Sequence, residues 1–392
     1  MQKAKTLYSP YYISMCIANA LVCTYLFALI PLVFDHSGGS LNLCAAALLC
    51  FSVGLFVMGP TNTHLVEKFT RKGLYLKAVL LLIALNFGIF YATSTPVFLL
   101  CFGVQGMLFA VAQNALGNTL VNDLMSSEKR TLGDNLYSWY GRLGIPFGWL
   151  WGIALLHFNL PTLQTALLAV APCFIALLLI LCVKVPLKAP VHTSFFSLDR
   201  YFLPKAWPLF VLALVGAAVE GIILAQALRL LADPIMPALY LAAGFLIALW
   251  LQRIVFVQAV DKAEMIAGTL LTLAALLMLR HSLDGVRQVA FLCLGAGIGM
   301  MAARLLMYFL KISGHCQRGT VQNTYMLGWR TGFALGFLIA AFEVARPAAF
   351  ADSSSLYVAL GLVVAYALFY FFYVHPWFEK HKNRDFKFRE GE

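Results

Sequence analysis

Long apolar runs recur along this chain, separated by short segments that carry most of its charged residues. A helix needs roughly 20 apolar residues to cross the hydrocarbon core of a bilayer, and twelve runs have about that length. They cover residues 11–34, 43–60, 74–93, 97–120, 137–158, 162–185, 208–231, 236–258, 264–281, 288–311, 320–343 and 355–377. These runs lack the period-two alternation of membrane-spanning strands. The pattern therefore predicts an all-α polytopic membrane protein with twelve transmembrane helices.

The composition supports this prediction. The 392 residues are 61% hydrophobic and 11% charged, whereas soluble globular proteins have about 25% charged residues. Two lysines precede the first run, and "ANA" at 18–20 is similar to a signal-peptide cleavage site. However, the run continues to Phe34, which is longer than the apolar region of a signal peptide. We therefore expect the first run to remain as a span in contact with the lipid bilayer.

The net charge of +11 is distributed unevenly between the two sides that twelve spans create. With the N-terminus inside, the outer segments hold four basic residues, Arg229, Arg280, Arg287 and Arg346, and the inner segments hold the others that lie outside span interiors. This excess predicts that both termini are cytoplasmic. It indicates a multi-pass protein of the plasma membrane, in a bacterium the inner membrane. Because topology accounts for the basic charge, no nucleic-acid partner is expected.

Motifs for catalysis, metal binding and ATP use are missing from the sequence. There is no Walker A run, no G-x-S-x-G and no H-E-x-x-H, so neither an ATP-driven pump nor an enzyme is expected. The nine cysteines include no C-x-x-C pair, and eight of them fall within spans. We interpret them as small apolar packing residues. No cofactor and no metal site is predicted.

The spans divide into two equal groups. A connector at 186–207 separates six spans in residues 1–185 from six in 208–378, and a charged tail follows at 379–392. Residues 130–148, "RTLGDNLYSWYGRLGIPFG", and 318–336, "RGTVQNTYMLGWRTGFALG", match at six of nineteen positions without a gap. Both copies enter the fifth span of their half from the same side. The halves are therefore predicted to be parallel repeats, which in transporters enclose a substrate site at mid-membrane.

With this repeat established, the chain resembles the major facilitator superfamily over essentially its whole length. The loop "LVEKFTRK" at 65–72 is similar in charge pattern to that family's G-x-L-A-D-R-x-G-R-K signature, although Thr63 and Thr70 replace its glycines. In the family this loop latches conformations. The resemblance therefore implies that Glu67, Lys68 and Arg71 belong to a gate rather than to the substrate site.

Two further signatures are partial. In "FGVQG" at 102–106, Phe102 occupies the arginine position of the family's R-x-x-Q-G motif, so any proton coupling would have to differ from that of relatives with this arginine. The fifth span resembles the glycine-proline signature of the exporter branch, through Gly141, Gly144, Pro146, Gly148 and Gly152. The resemblance implies efflux, as by an antiporter. The glycine spacing by itself favours close helix packing.

Ionisable residues inside spans are functional candidates because burying charge in a membrane is unfavourable. The interior set is Arg142, Glu220, Arg304 and Arg330. Glu220 is interpreted as the only carboxylate deep inside a span, and burial favours the neutral carboxyl that proton coupling requires. The alternative is a permanent ion pair with Arg304 or Arg330. The arginines suit an anionic or polyhydroxylated ligand, or a structural partner, and Arg142 is close enough to a span end to snorkel.

Uncharged polar residues provide a second set of candidates. Asn114 and Asn118 share one face of the fourth span, with Gln113 beside them, and Asn19 and Tyr25 lie in the first span. They either line a cavity or hydrogen-bond between helices.

These features together predict a secondary active transporter that moves a small-molecule substrate by alternating access. Proton-coupled export by a monomer is the favoured form. The alternatives are uptake of a sugar, organic anion or other metabolite, and a non-transporting sensor or scaffold.

Overall fold

The computed structural model describes residues 9–121, 125, 130–184, 194–197, 201–256, 261–314, 317–343 and 349–382. Twelve long helices and no β-strand occur in these residues, which confirms the predicted all-α fold. The helices are α1 (Pro10–His36), α2 (Leu41–Met58), α3 (Arg71–Phe90), α4 (Thr95–Gln113), α5 (Arg130–His157), α6 (Thr162–Leu181), α7 (Trp207–Leu230), α8 (Ile235–Ile254), α9 (Asp261–Leu279), α10 (Asp284–Ile312), α11 (Arg318–Ala341) and α12 (Ser354–Phe369).

Several helices continue past these limits. A short helix, Asn62–Lys68, follows α2, a π-helical segment Asn114–Leu120 extends α4, and α12 continues through His381. Half of the connector 186–207 and most of the tail 379–392 lie outside the described residues. The domain limits and the cytoplasmic location of the termini therefore stay predictions.

Ten helical segments in the described part are long and apolar enough to cross a membrane. The two long helices outside this set are α5 and α11, which contain the two copies of the repeat. Their polar residues include the span-interior arginines Arg142 and Arg330.

The same helix pairs pack in both halves. In the first half α1 packs along α5 and α2 along α4, and in the second half α7 packs along α11 and α8 along α10. The halves meet mainly where α2 contacts α11 and where α5 contacts α8. This arrangement agrees with the predicted parallel repeats.

Glycines permit the closest of these approaches. A Cβ added to Gly144 on α5 would lie 2.3 Å from the Cβ of Cys23 on α1, and one added to Gly332 on α11 would lie 2.1 Å from the carbonyl oxygen of Leu214 on α7. These glycines hold equivalent positions in the repeat. The packing role predicted from glycine spacing is confirmed at both positions.

Local sequence sets the helix boundaries. The hydroxyl of Ser9 accepts a hydrogen bond from the Tyr12 amide at 3.3 Å, and Pro10 occupies the first position of α1, where its missing N–H is not needed. The turn from α1 to α2 places Gly38 at φ 66° and Gly39 at φ 83°, values that glycine adopts without strain. The hydroxyl of Ser40 then accepts from the Leu43 amide at 3.3 Å at the start of α2.

Candidate functional site

A cavity lies between the two halves, lined by α1, α4 and α5 from the first and by α10 and α11 from the second. The centres of water-sized molecules can occupy about 90 Å³ of it, which is room for several waters. Its polar lining includes Asn19, Gln113, Arg142, Asn323, Tyr325 and Arg330. Four of the predicted candidates, Asn19, Gln113, Arg142 and Arg330, are therefore brought together at one place.

The first-half wall is held by a chain of hydrogen bonds. The Gln113 amide donates to Asn19 Oδ1 at 2.8 Å, and the Asn19 amide donates to the Tyr137 carbonyl at 3.0 Å. The Tyr137 hydroxyl donates to Gln113 Oε1 at 3.3 Å. Tyr137 was not among the predicted site residues, although its match with Tyr325 in the repeat was a usable signal. The network fixes three side chains at the cavity wall.

Arg330 extends from α11 into the first half. Its Nη2 is 3.5 Å from Cys23 Sγ, and its Cζ lies 4.7 Å from the Phe27 ring centre and 5.2 Å from that of Phe109. Aromatic faces attract a guanidinium, the more so where water is excluded. Phe27 also packs edge-on against Phe333, at 5.3 Å between ring centres. Arg330 thus joins the halves beside this aromatic contact.

Arg142 makes the reciprocal contact from the first half to the second. Its guanidinium lies beside Tyr325 on α11, whose hydroxyl donates to the Ala302 carbonyl at 3.1 Å. Only 6% of Arg142 is exposed, so the snorkelling alternative is wrong. Neither terminal nitrogen of Arg142 has a hydrogen-bond partner among the described residues.

Glu220 on α7 is fully buried and does not line the cavity. It lies close to Arg330 and Trp329. Neither of its carboxylate oxygens has a hydrogen-bond partner in the described part of the chain, and no nitrogen of Arg330 comes within 4.0 Å of them. Glu220 is therefore near the cavity arginine without being locked to it.

Arg304 is paired elsewhere, so the suggested pair of Glu220 with Arg304 is wrong. The Nε of Arg304 donates to Glu264 Oε2 at 3.0 Å, and its Nη2 binds Glu264 Oε1. Glu264 is buried in the first turn of α9. Glu264 is thus a buried carboxylate at the end of a span that was not among the predicted candidates, whereas Glu220 lies in the middle of α7. The sequence signal was missed because Glu264 stands at the edge of its apolar run.

The Glu264–Arg304 pair supports a contact between the halves. Gln252 on α8 donates to Glu264 Oε2 at 3.4 Å and to the Met300 carbonyl at 3.3 Å. The indole of Trp139 on α5 donates to Gln252 Oε1 at 3.3 Å. Because Trp139 belongs to the first half, this interface network (Trp139, Gln252, Glu264 and Arg304) links the halves at their predicted cytoplasmic end. These four residues line a pocket separate from the central cavity.

Two further candidates, Tyr25 and Asn114, do not line the cavity. Tyr25 is fully buried, and its hydroxyl accepts from the Gln105 amide at 3.2 Å. Asn114 is buried at the start of the π-helical segment, whereas the side chain of Asn118 lies outside the described residues.

The predicted gate residues lie together after α2. Glu67 and Lys68 end the short helix Asn62–Lys68, and Arg71 begins α3. Within the described ranges, no group of three or more potential metal-ligating side chains occurs.

Several solved structures that are described as transporters share this fold at low sequence identity. No family model matches the sequence, and a search of curated proteins finds no match. A bacterial homologue of the human lysosomal transporter Spinster, inward-facing and unoccupied, aligns with TM-score 0.70 and 15% identity over 97% of this chain and 100% of its own. The nucleoside transporter NupG aligns with TM-score 0.68 and 13% identity over 93% and 98%.

A third structure carries the family name in its description. FucP, described as a major facilitator superfamily transporter in the outward conformation, aligns with TM-score 0.61 and 12% identity over 92% of this chain and 99% of its own. The alignments span nearly all of each protein, and the helices pair as the repeat requires. This chain has the fold of the major facilitator superfamily.

Proposed function

We propose that this protein is a secondary active transporter that moves a small organic solute by alternating access. The observation that carries the proposal is the central cavity, to which each copy of the repeat contributes one arginine, the buried Arg142 and the partly buried Arg330. Each arginine contacts the opposite half. A solute bound there changes the relative stability of the inward- and outward-open states, because the arginines separate when the halves do.

Proton coupling is the proposed energy source. Glu220 is buried beside Arg330, so gain or loss of its proton changes the net charge next to the cavity. FucP is described as a fucose:proton symporter, and a proton-driven protein of this fold is therefore known. We propose export as the direction, on the glycine-proline pattern of α5, by a monomer in a bacterial inner membrane.

Flux measurements on Glu220→Gln test the coupling. A thermal-shift screen of the purified protein against metabolites and drugs first identifies a solute, because a ligand of the folded state raises the melting temperature. In proteoliposomes we expect Glu220→Gln to abolish flux driven by a pH gradient and to leave solute exchange intact. The matched control is Glu379→Gln, since Glu379 is an exposed residue near the C-terminus. Unchanged driven flux would remove Glu220 from the mechanism, and a sensor would show no flux in any variant.

Uptake of an organic anion is the second candidate, and the charge of Arg142 favours it. A proton on Glu220 leaves the cavity more positive, so proton and anion bind better together than apart. Two ligands that favour each other's binding move in the same direction. MFSD10 is described as a human organic anion transporter and aligns with TM-score 0.64 and 15% identity. Flux that requires the proton and solute gradients to point the same way would support uptake over export.

A further inference from the structure

The buried side-chain atoms of the cavity lining that have no hydrogen-bond partner are donors. Within the described residues they are Nη1 and Nη2 of Arg142, Nε2 of Gln322 and Nε1 of Trp329. The Trp329 indole lies close to Glu220, so Arg142 and Gln322 are the clearer cases. Buried donors without acceptors are unfavourable. The lining is therefore complementary to a ligand that brings acceptors.

The charged residues around the cavity also favour the binding of an anion. Arg330 has Glu220 nearby and two aromatic faces, whereas Arg142 lies beside the neutral Tyr325 and forms no ion pair with a carboxylate among the described residues. A guanidinium buried without a counter-ion is strongly unfavourable. Arg142 and Arg330 together exceed the single negative charge that Glu220 can supply. An anionic group on the ligand would balance this excess.

The two amide oxygens of the first-half wall are already engaged. Asn19 Oδ1 accepts from Gln113, and Gln113 Oε1 accepts from Tyr137. A sugar or other polyol donates through every hydroxyl and would need further acceptors here. A carboxylate or phosphonate only accepts, and a guanidinium presents a planar fork of donors to it. This difference favours an anion over a polyhydroxylated ligand.

We propose that the central cavity binds organic anions, with the acid group between Arg142 and Arg330 and an apolar part against Phe109, Ile145 and Met326. This inference rests on the proposed transport function, because it names the substrate class of the same cavity.

Thermal shifts of the purified full-length protein test the proposal. The probes are benzoate and phenylphosphonate, with benzamide as the neutral isostere of benzoate and mannitol as a polyol. The variants are Arg142→Gln, which removes the charge, and Arg142→Lys, which keeps the charge without the planar fork. Arg280→Gln is the matched control, because Arg280 lies outside the cavity and donates to the Tyr357 hydroxyl at 2.8 Å.

We expect the anions, and not benzamide or mannitol, to raise the melting temperature of the wild type and of Arg280→Gln by a few degrees near saturation. Arg142→Gln should weaken anion binding by about tenfold or more, and Arg142→Lys by less. Equal shifts with benzamide or mannitol, shifts retained in Arg142→Gln, or no anion shift in the folded wild type would each overturn the proposal. If Arg142→Gln fails to fold, Gln322→Ala takes its place.

Counterflow of labelled benzoate in proteoliposomes separates this proposal from the transport function. Anion binding without flux would overturn the proposed transport function and support the proposed anion site. Flux of a neutral solute without anion binding would retain transport and overturn the anion site.

Discussion

At the scale of single residues, the two copies of the repeat place equivalent arginines in reciprocal contacts. Arg142 and Arg330 coincide at an offset of 188 residues, and each side chain reaches the half to which it does not belong. The sequence was sufficient to identify both as candidates inside membrane spans. Their neighbours were not predictable, because these lie on helices of the other half and no sequence spacing relates them.

The Glu264–Arg304 ion pair provides a test at this scale. Glu264→Gln removes the negative charge of a largely buried pair and takes this carboxylate away from Arg304. We expect it to lower the free energy of unfolding by about 3 kcal/mol. The melting temperature of the purified protein in detergent, with Glu264→Gln compared with wild type, measures this change.

The control for this prediction is Glu379→Gln. Glu379 forms an exposed pair with Lys382 at 2.7 Å, and such pairs contribute at most about 1 kcal/mol. The double variant Glu264→Gln with Arg304→Gln should recover part of the loss, because it also removes the positive charge that Glu264 balanced. Equal melting temperatures for Glu264→Gln and Glu379→Gln would show that the buried pair does not stabilise the fold.

At the scale of the helices, the apolar runs predicted the number and order of elements but not their ends. The fifth run begins at residue 137, whereas α5 begins at Arg130. Hydropathy marks the part of a helix that lies in hydrocarbon, while the backbone hydrogen bonds continue into the polar region. The same reason explains why α12 continues as helix to His381, past the last apolar run.

The close approach of α11 to α7 at Gly332 gives a testable prediction about helix packing. Gly332→Ala places a Cβ 2.1 Å from the Leu214 carbonyl oxygen, so α11 has to move away from α7. We expect a loss of about 1–3 kcal/mol in the free energy of unfolding, measured as a lower melting temperature.

Gly361→Ala on α12 is the matched control, because its Cβ would have no atom within 4 Å. Alanine in an open helical position stabilises by roughly 0.5–1 kcal/mol relative to glycine. If both alanine variants melt at or above the wild-type temperature, close approach at Gly332 is not required.

At the scale of the whole molecule, the halves are held together at two levels. Phe27 and Phe333 meet beside Arg330 near the middle of the fold, and the interface network joins α5 to α8 at the predicted cytoplasmic end. Alternating access requires such contacts to break and reform, so they must be individually weak. Neither level was predicted, because each joins residues more than 100 positions apart in the chain.

Trp139→Phe tests the interface network. It removes the indole donor to Gln252 and should shift the equilibrium toward separation of α5 and α8 by about 1 kcal/mol, or roughly fivefold. Leu132 and Ile254 are both exposed and can carry spin labels in a variant without native cysteines. Double electron–electron resonance between the two labels measures the fraction of molecules in which α5 and α8 are separated. Trp151→Phe is the control, because its indole bonds to the Leu168 carbonyl within the first half. An unchanged distance distribution in Trp139→Phe would show that this hydrogen bond does not hold α5 and α8 together.

The positions of Trp139 and Trp329 also give the protein an intrinsic optical signal. Trp139 is buried between the halves, and Trp329 lines the central cavity. Indole emission moves to longer wavelength when the ring becomes hydrated, and nearby charge alters its intensity. Of the seven tryptophans, a variant that keeps Trp139 alone would report the movement of the halves, and one that keeps Trp329 alone would report occupancy of the cavity. Comparing the two emission time courses after mixing with a solute would show whether binding precedes the movement.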